Sequence, residues 1–575
     1  AARALRSVLV DRLGGTTAIL PTIRPLGEFD EDAALFESGS SDDLALDPPI
    51  GDLDRVLLLS PLVRAWKRRL PSHVAALFGE DIVVPASLAD AIWLSRDLAA
   101  LMDEIETGGA HWSRLADLVP AELANWWQVT LEFLEIITSA WPALLAERGR
   151  SNPASHRSAI IVTEAERLAR NPPAGPVIVA GSTGSIPATA QLLAAISKLP
   201  LGAVVLPGLD KLADEPSWAE IGKSDGPPSV FGHPQGGLKK LLGVLGVERR
   251  DVEELALPDP AIAKRIALVN EALRPAETTD VWAALGTTPT SQSFADVSLI
   301  EAANEREEAL SIAVALRMAI DDGKSFAALV TGDRELARRV SAELRRFGIE
   351  ADDSGGTPLN TTPQATFFHR LLEAVFRPGD AVALMTLLKH PLLHAGLPRA
   401  DVRAAAEAID LVALRGATGR PDIAQLRLDF DRRLARLDAD PRKPFWHQRL
   451  SADRLDKARA LLDAITHASA ELIDLRRQEV SLKEIAAVSV RCFEALGCDQ
   501  DGAYGTLYGG DTGEAFATFL RSLVGITADV ELDAIEWPDV FNALIAGASV
   551  KPSVTGDPRI AIWGALEARL QTVDT

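Results

Sequence analysis

The sequence predicts a helix-rich α/β fold, with parallel sheets separated by long helical stretches. Three observations predict it. Between Val297 and Leu359 short apolar runs alternate with helical stripes, and a β-α-β alternation implies right-handed crossovers and a parallel sheet. A second alternation runs from Pro176 to Leu206. From Val56 to Arg148, and again from Asp401 to about Ile526, apolar residues recur at helical spacing with few strand signals.

At 575 residues the chain has room for three or four domains of about 150 residues each. Hydrophobic residues make up 47% and charged residues 24%, which is globular usage rather than disorder. No apolar run approaches the roughly 20 residues of a membrane span, and no charged-then-apolar leader opens the chain. A soluble protein without a membrane partner is expected. Cys492 and Cys498 have no nearby histidine pair, so they suit thiols in a reducing cytoplasm better than a zinc site. The net charge of -22 opposes DNA, because a duplex repels an acidic surface and binding draws on Lys and Arg at phosphates. Any DNA contact must come from local basic clusters or a partner. The chain lacks a starting Met and opens inside the helix-like ARALRSVLVDRLGG, and it stops at LEARLQTVDT where an apolar strand is expected. It reads as a fragment of a longer protein.

Ala4 to Leu13 reads as a helix ended by Gly14-Gly15, and Thr17 to Leu20 as a strand opening into PTIRPLG. Residues 29–54 are acidic and punctuated by Gly, Ser and Pro, a loop. The helical stretch from Val56 carries Trp66-Lys67-Arg68-Arg69, the composition of a single-strand groove or of a solvated helix end. Trp112, Trp126, Trp127 and Trp141 read as core anchors. Ser151 to Pro173 contains IIVTEAER, which imitates an acidic ATPase strand. Asn152-Pro153 and the stripe Ile160, Glu164, Leu168 make it a helix with Pro at its first position, so Thr163-Glu164 is not expected to hold magnesium. PVIVA at Pro176 to Ala180 is a buried strand, followed by GSTGSIPATAQLLAAI and a second strand at Ala203 to Leu206. Lys239, Lys240, Arg249 and Arg250 form a basic group that faces either DNA or solvent.

Ser298 to Ala302 is expected as a strand. A helical stripe follows through Ala309, Ile312, Ala313, Leu316 and Ile320, stopped by Asp321-Asp322-Gly323. Phe326 to Val330 suits a strand buried on both faces. Asp333 caps the next helix, whose Leu336, Val340 and Leu344 point inward, and Gly348 sits where a left-handed residue ends it. Residues 365–393 form two helices split at Arg377-Pro378-Gly379-Asp380, with His390 packed at a helix end. Pro558 to Trp563 returns to a strand, followed by GALEARLQ.

NEREEA at Asn304 to Ala309, TGDRELARRV at Thr331 to Val340 and DDSGGTPL at Asp352 to Leu359 resemble the second RecA-like domain of a superfamily I helicase. The wording is most similar to the AddB family of alphaproteobacterial type, the partner of the AddA helicase-nuclease. The resemblance implies two RecA-like parallel-sheet domains, each with a helical insertion. Residues 1–55 are then the first domain's opening part, 56–150 its insertion and 151–296 its second part and linker. Residues 297–400 begin the second domain, 401–555 are its insertion and 556–575 its return strand.

By the order of strand tips in that superfamily, Thr22 and Arg24 fall at a tip that touches single-stranded DNA. With Trp66, Arg68, Arg334 and Arg338 they are the candidate nucleic-acid-binding residues. Active members end the strand matching PVIVA in Gly-Asp and then Gln-Ser-Ile-Tyr. Here Gly181-Ser182 and Ser185-Ile186-Pro187 stand instead, without the charged and amide groups that nucleotide chemistry needs. Glu567 matches loosely the glutamate of a Ser-Lys-Gly-Leu-Glu-like turn.

A phosphate loop requires GxxxxGK[ST]. Two GKS triplets occur, at Gly222 and Gly323, but Ser217 and Met318 stand where the first Gly is needed. No hydrophobic strand ending in Asp-Glu, CxxC set or GxSxG elbow occurs, and nothing matches the family's C-terminal nuclease. The expectation is therefore a non-catalytic helicase-like subunit without a cofactor in this stretch. It is expected to be cytoplasmic and nucleoid-associated, to thread single-stranded DNA beside an AddA-like subunit during double-strand break repair and recombination, and to scan for a hotspot sequence. Two alternatives stay open: an active ATPase whose phosphate loop precedes Ala1, and a purely structural scaffold.

Overall fold

The computed structural model describes residues 46–69, 87–110, 133–223, 232–256, 260–283, 296–324, 326–415, 420–551, 556–569 and 571–575, with scattered positions before residue 27, Trp112 and Phe294. For residues 67–69 and Ala261 it describes the backbone only. The expected strand at Thr17 to Leu20, and Trp126 and Trp127, lie outside the described residues.

The helical stretch after Gly51 contains α1 (Asp52–Arg69), α2 (Leu88–Thr107) and α3 (Trp141–Arg148), the last entered through a π-turn at Ile136–Ala140. Ser87 and Asp90 start α2 with a reciprocal capping box, which satisfies two of the helix's free N–H groups. Next comes α4 (Pro153–Arg170), with Pro at its first position. Its Glu164 is buried and takes two bonds from Arg167, at 2.8 and 2.7 Å. The Thr163-Glu164 pair is thus part of a helix, as its Pro start and stripe predict.

Two strands form the first sheet, β1 (Val177–Ala180) and β2 (Gly202–Val205), parallel and joined by α5 (Pro187–Ser197). Ile161, Leu168, Val177, Leu193 and Ile196 make their core. The connecting region adds α6 (Glu215–Glu220), α7 (Gly236–Leu245) and α8 (Pro260–Ala272).

The second unit begins with α9 (Glu305–Asp321), capped by Asn304, whose Oδ1 accepts from the N–H groups of Arg306 and Glu307. β3 (Ala327–Val330), α10 (Arg334–Arg346) and β4 (Asp352–Asp353) follow. Asp333 caps α10 and Gly348 takes φ +71 after it, both as the sequence predicts. One expected strand is absent: residues 297–302 are coil, with Leu299 88% and Ile300 61% exposed. The edge of β3 instead meets residues 574–575, with Asp574 N donating to Phe326 O and Ala328 N to Thr575 O, both at 2.9 Å. An apolar run supplies strand composition but does not choose its edge, and here that edge is taken by chain almost 250 residues away in sequence.

From β5 (Thr357–Pro358) the chain enters a helical stretch: α11 (Pro363–Phe376), α12 (Ala381–Lys389), α13 (Arg399–Ile409), α14 (Leu426–Ala439) and α15 (Ala452–Leu475). After β6 (Glu479–Ser481) come α16 (Leu482–Gly497), α17 (Gly505–Tyr508), α18 (Gly510–Val524), β7 (Glu531–Asp533) and α19 (Trp537–Ile545). β6 and β7 pair antiparallel. Phe368 packs against Phe493, Phe516 and Phe541 at ring distances of 5.4, 5.9 and 4.5 Å. β8 (Ser549–Val550) then pairs antiparallel with β5, and β9 (Ile560–Trp563) slots between β3 and β4, parallel to both.

The two helical stretches share one core. Leu57, Ile92 and Met102 belong to the same buried cluster as Phe368, Leu461 and Trp537. Polar ties cross the same seam: Arg96 Nε donates to Ala543 O at 2.9 Å, and Asp54 Oδ1 accepts from Thr527 N and Ala528 N at 2.8 and 3.0 Å. The described chain is therefore a large helical body with two small α/β units attached to it.

Candidate nucleic-acid interface

In a parallel sheet the strands' carboxyl ends open into the loops that bind ligands. At the end of β1, Gly181 takes φ +86 and its N–H donates to Val205 O at 3.1 Å. Ser182 Oγ accepts from Gly184 N at 3.2 Å. Gly184 is buried at φ +60, and a Cβ there would lie 2.7 Å from Leu241 Cδ1, so α7 closes tightly over this loop. Ser185 is exposed, and Ile186 stands at the N-cap of α5 without a side-chain cap bond. Residues 181–187 present hydroxyls but no carboxylate or amide. That set can hydrogen-bond a passing chain and has no group to orient a metal-bound nucleotide. At the end of β9, Glu567 folds back so that its Oε2 would lie 2.6 Å from a Cβ on Gly564.

The six candidate contacts fall on separate pieces. Thr22 is exposed, beside Ile23, whose carbonyl accepts from Arg6. Arg24 and the side chain of Arg68 lie outside the described residues. Trp66, on α1, is half-buried, with its ring edge-on to Phe133 at 5.0 Å and packed against the main core. Trp112 packs against the same core and Trp141 is buried within it, so these indoles anchor helices.

Arg334 and Arg338 lie one turn apart on α10, and the structure gives them different work. The Arg334 guanidinium pairs with Asp353 at 2.7 Å, donates to Gly356 O at 3.2 Å, and occupies the space beside Gly355 so closely that a Cβ there would sit 2.3 Å from its Cζ. It clamps the turn between β4 and β5, where the chain leaves the α/β unit. Among the described residues Arg338 pairs only with Glu335 one turn back, and it stays 72% exposed.

Two of the four residues of the basic group, Lys239 on α7 and Arg249 after it, are engaged within the fold, while Lys240 and Arg250 are exposed. Lys239 Nζ donates to the carbonyls of Trp218, Ala219 and Ile221, capping the C-terminal end of α6, and burial lowers its pKa. Arg249 lies over the Trp218 ring at 4.7 Å and pairs with Glu215. Both side chains are held by groups of the fold rather than left to open solvent. Arg250 is exposed and paired with Glu248.

One group of cations escaped the sequence reading. Phe445 is 80% exposed on a short 3-10 turn, Phe445–Arg449, after α14. Arg442, Lys443 and Arg449 flank it, all exposed, and none pairs with a carboxylate among the described residues. The signal was legible as PRKPFWHQR, an aromatic interleaved with basic residues. It lay inside a stretch read only for its helices.

No protein-family model matches this chain, and no curated protein matches it in sequence. Among the described residues, no group of three or more His, Cys, Asp or Glu side chains is placed to hold a metal ion, and no helix is long and apolar enough to cross a membrane.

Proposed function

We propose that this chain is a non-catalytic helicase-like subunit that binds and threads single-stranded DNA beside an AddA-like helicase-nuclease in double-strand break repair and recombination. In this reading its α/β units are two RecA-like domains, and it works in the cytoplasm at the nucleoid. The observation that carries it is the exposed Phe445 among Arg442, Lys443 and Arg449 in a chain of net charge -22. Here a ring offers a stacking surface, and three exposed cations without a carboxylate partner among the described residues are left for phosphates. Further support comes from β9 returning between β3 and β4 after a long helical stretch, the arrangement that a RecA-like domain with an insertion requires.

The test is fluorescence anisotropy of this chain with a single-stranded oligonucleotide at two salt concentrations, beside Arg24→Ala and the double variant Arg442→Ala/Lys443→Ala. Binding that weakens with salt and with the double variant is expected. Loss of Phe445 stacking is worth about 1–3 kcal/mol per base, so Phe445→Ala is expected to weaken binding by roughly fivefold or more. Absence of binding at low salt overturns the reading in favour of a scaffold that touches only protein. That second reading has its own observation: Arg334, Lys239 and Arg249 all serve internal structure.

A further inference from the structure

The helix α8 (Pro260–Ala272) is fastened to the fold by polar side chains and turns an apolar row outward. Asn270 Nδ2 donates to Asp210 Oδ2, and Arg274, one turn on, pairs with Asp214 at 2.7 Å and donates to Ser217 Oγ at 2.6 Å. Leu273 O accepts from His233 Nε2 at 2.8 Å. These bonds hold the last turn of the helix against the connecting region. Ile262, Ile266, Val269 and Leu273 are meanwhile 51, 42, 48 and 45% exposed. Their spacing of four, three and four residues keeps them in one row along the helix, the pattern of a seam where two helices interlock. Leu273 N donates to Val269 O at 3.0 Å, so the helical path carries through the fourth position.

Among the described residues no other helix or strand packs along α8. A helix of 13 residues is marginal in water by itself, because one shorter than about 12–15 residues draws its stability from packing an amphipathic face. Here the usual relation is inverted, with polar groups toward the fold and the apolar row toward water. Exposed apolar side chains scattered singly are ordinary, whereas four in one row mark an interaction surface.

We propose that α8 is a dimerisation helix: the row is covered by α8 of a second copy of this chain, antiparallel, across a twofold axis between Ile266 and Val269. The spacing reads the same in both directions. A reversed copy therefore sets Ile262 against Leu273 and Ile266 against Val269 of the other chain and leaves no apolar position over. Charge chooses the direction. Lys264 and Arg265 lie in the first half of the helix, and Glu271, Glu277 and Asp280 lie near or beyond its end. An antiparallel copy brings the basic end beside the acidic end, while a parallel one opposes like charges. A row of four side chains covers less than the about 800 Å² per partner of a standard interface, so the dimer is weak and concentration-dependent. Its formation does not depend on the proposed DNA binding.

Sedimentation equilibrium over a concentration series reads the mass directly, in salt high enough to screen the repulsion between two chains of net charge -22. Ile266→Glu places a charge at the centre of the row; since the position is exposed, the monomer keeps its fold, which a thermal melt checks. Leu428→Glu, at a 57% exposed leucine of α14, is the control. A mass that rises toward two chains, with a dissociation constant raised about tenfold or more by Ile266→Glu and unmoved by Leu428→Glu, supports the dimer. In a Cys498→Ser background, oxidation should link two chains of Ile262→Cys/Leu273→Cys but not of Ile262→Cys alone. Equal linking of the single variant overturns the antiparallel arrangement. A mass of one chain at every concentration overturns the dimer and leaves the row to a helix of a different protein. A dimer that Ile266→Glu leaves unchanged overturns it too, because the contact then lies on another face.

Discussion

Replacing Arg334 with alanine separates a structural clamp from a DNA contact. In the structure the side chain makes one ion pair with Asp353 at 2.7 Å, the two partners being 45% and 20% exposed, and one bond to Gly356 O at 3.2 Å. A partly exposed pair is worth about 0.2–1 kcal/mol, and a bond to a backbone carbonyl adds about 1 kcal/mol. Arg334→Ala is therefore expected to cost about 1–2 kcal/mol in urea unfolding. The loss belongs to the turn between β4 and β5, so amide exchange at residues 353–358 should accelerate with it. Arg338→Ala, which removes only an exposed pair with Glu335, leaves the urea midpoint in place. A cycle with Asp353→Asn should return a coupling of about 0.5 kcal/mol or more. If Arg334→Ala keeps wild-type stability but loses oligonucleotide affinity, the clamp argument fails and Arg334 is a strand contact.

Two further outcomes follow from the helical body and its entry point. His390 stacks on Phe367 at 4.9 Å, and its Nδ1 accepts from Leu392 N at 3.2 Å. Burial, then Arg399 and Arg370, lower its pKa from the ordinary 6.5 to about 4. The folded state thus holds the neutral ring, so the stability is fully present above pH 6.5 and lost as pH falls toward 4. The loss, at most about 2 kcal/mol after allowing for partial exposure, should disappear from the pH profile of urea midpoints in His390→Phe. Gly356 has φ +66, and a Cβ there would lie 2.4 Å from the Val550 backbone oxygen. Gly356→Ala is expected to cost more than about 2 kcal/mol and to expose the β5–β8 crossing to protease. Gly348→Ala, at φ +71 with open space, costs only the left-handed backbone term of about 1–2 kcal/mol. Equal losses in the two glycine variants would remove the steric argument.

Local chemistry was legible in the sequence because it acts over a few residues. Asp333 as a cap, Gly348 as a left-handed stop, Pro153 at a first helical position and the split at 377–380 all appear where the sequence puts them. The strands at 177–180, 202–205, 327–330 and 560–563 are equally local, being apolar runs of strand length. Partner choice was not legible. Residues 298–302 have strand composition, yet β3 meets residues 574–575 there, and edge pairing is decided by which chain reaches the free N–H and C=O groups.

The candidate site divides the same way. Composition marked Arg334, Lys239 and Arg249 as cations but could not show that Asp353, three carbonyl oxygens and the Trp218 ring already occupy them. The sequence by itself determined the helix-rich α/β class and several helix ends, at Pro153, Asp333, Gly348 and 377–380. Only the tertiary structure joined residues 52–148 to 359–550 in one core, and left Phe445 and the apolar row of α8 bare. The physical reason is that caps and stripes are satisfied within a few turns, whereas burial and charge pairing depend on groups hundreds of residues apart.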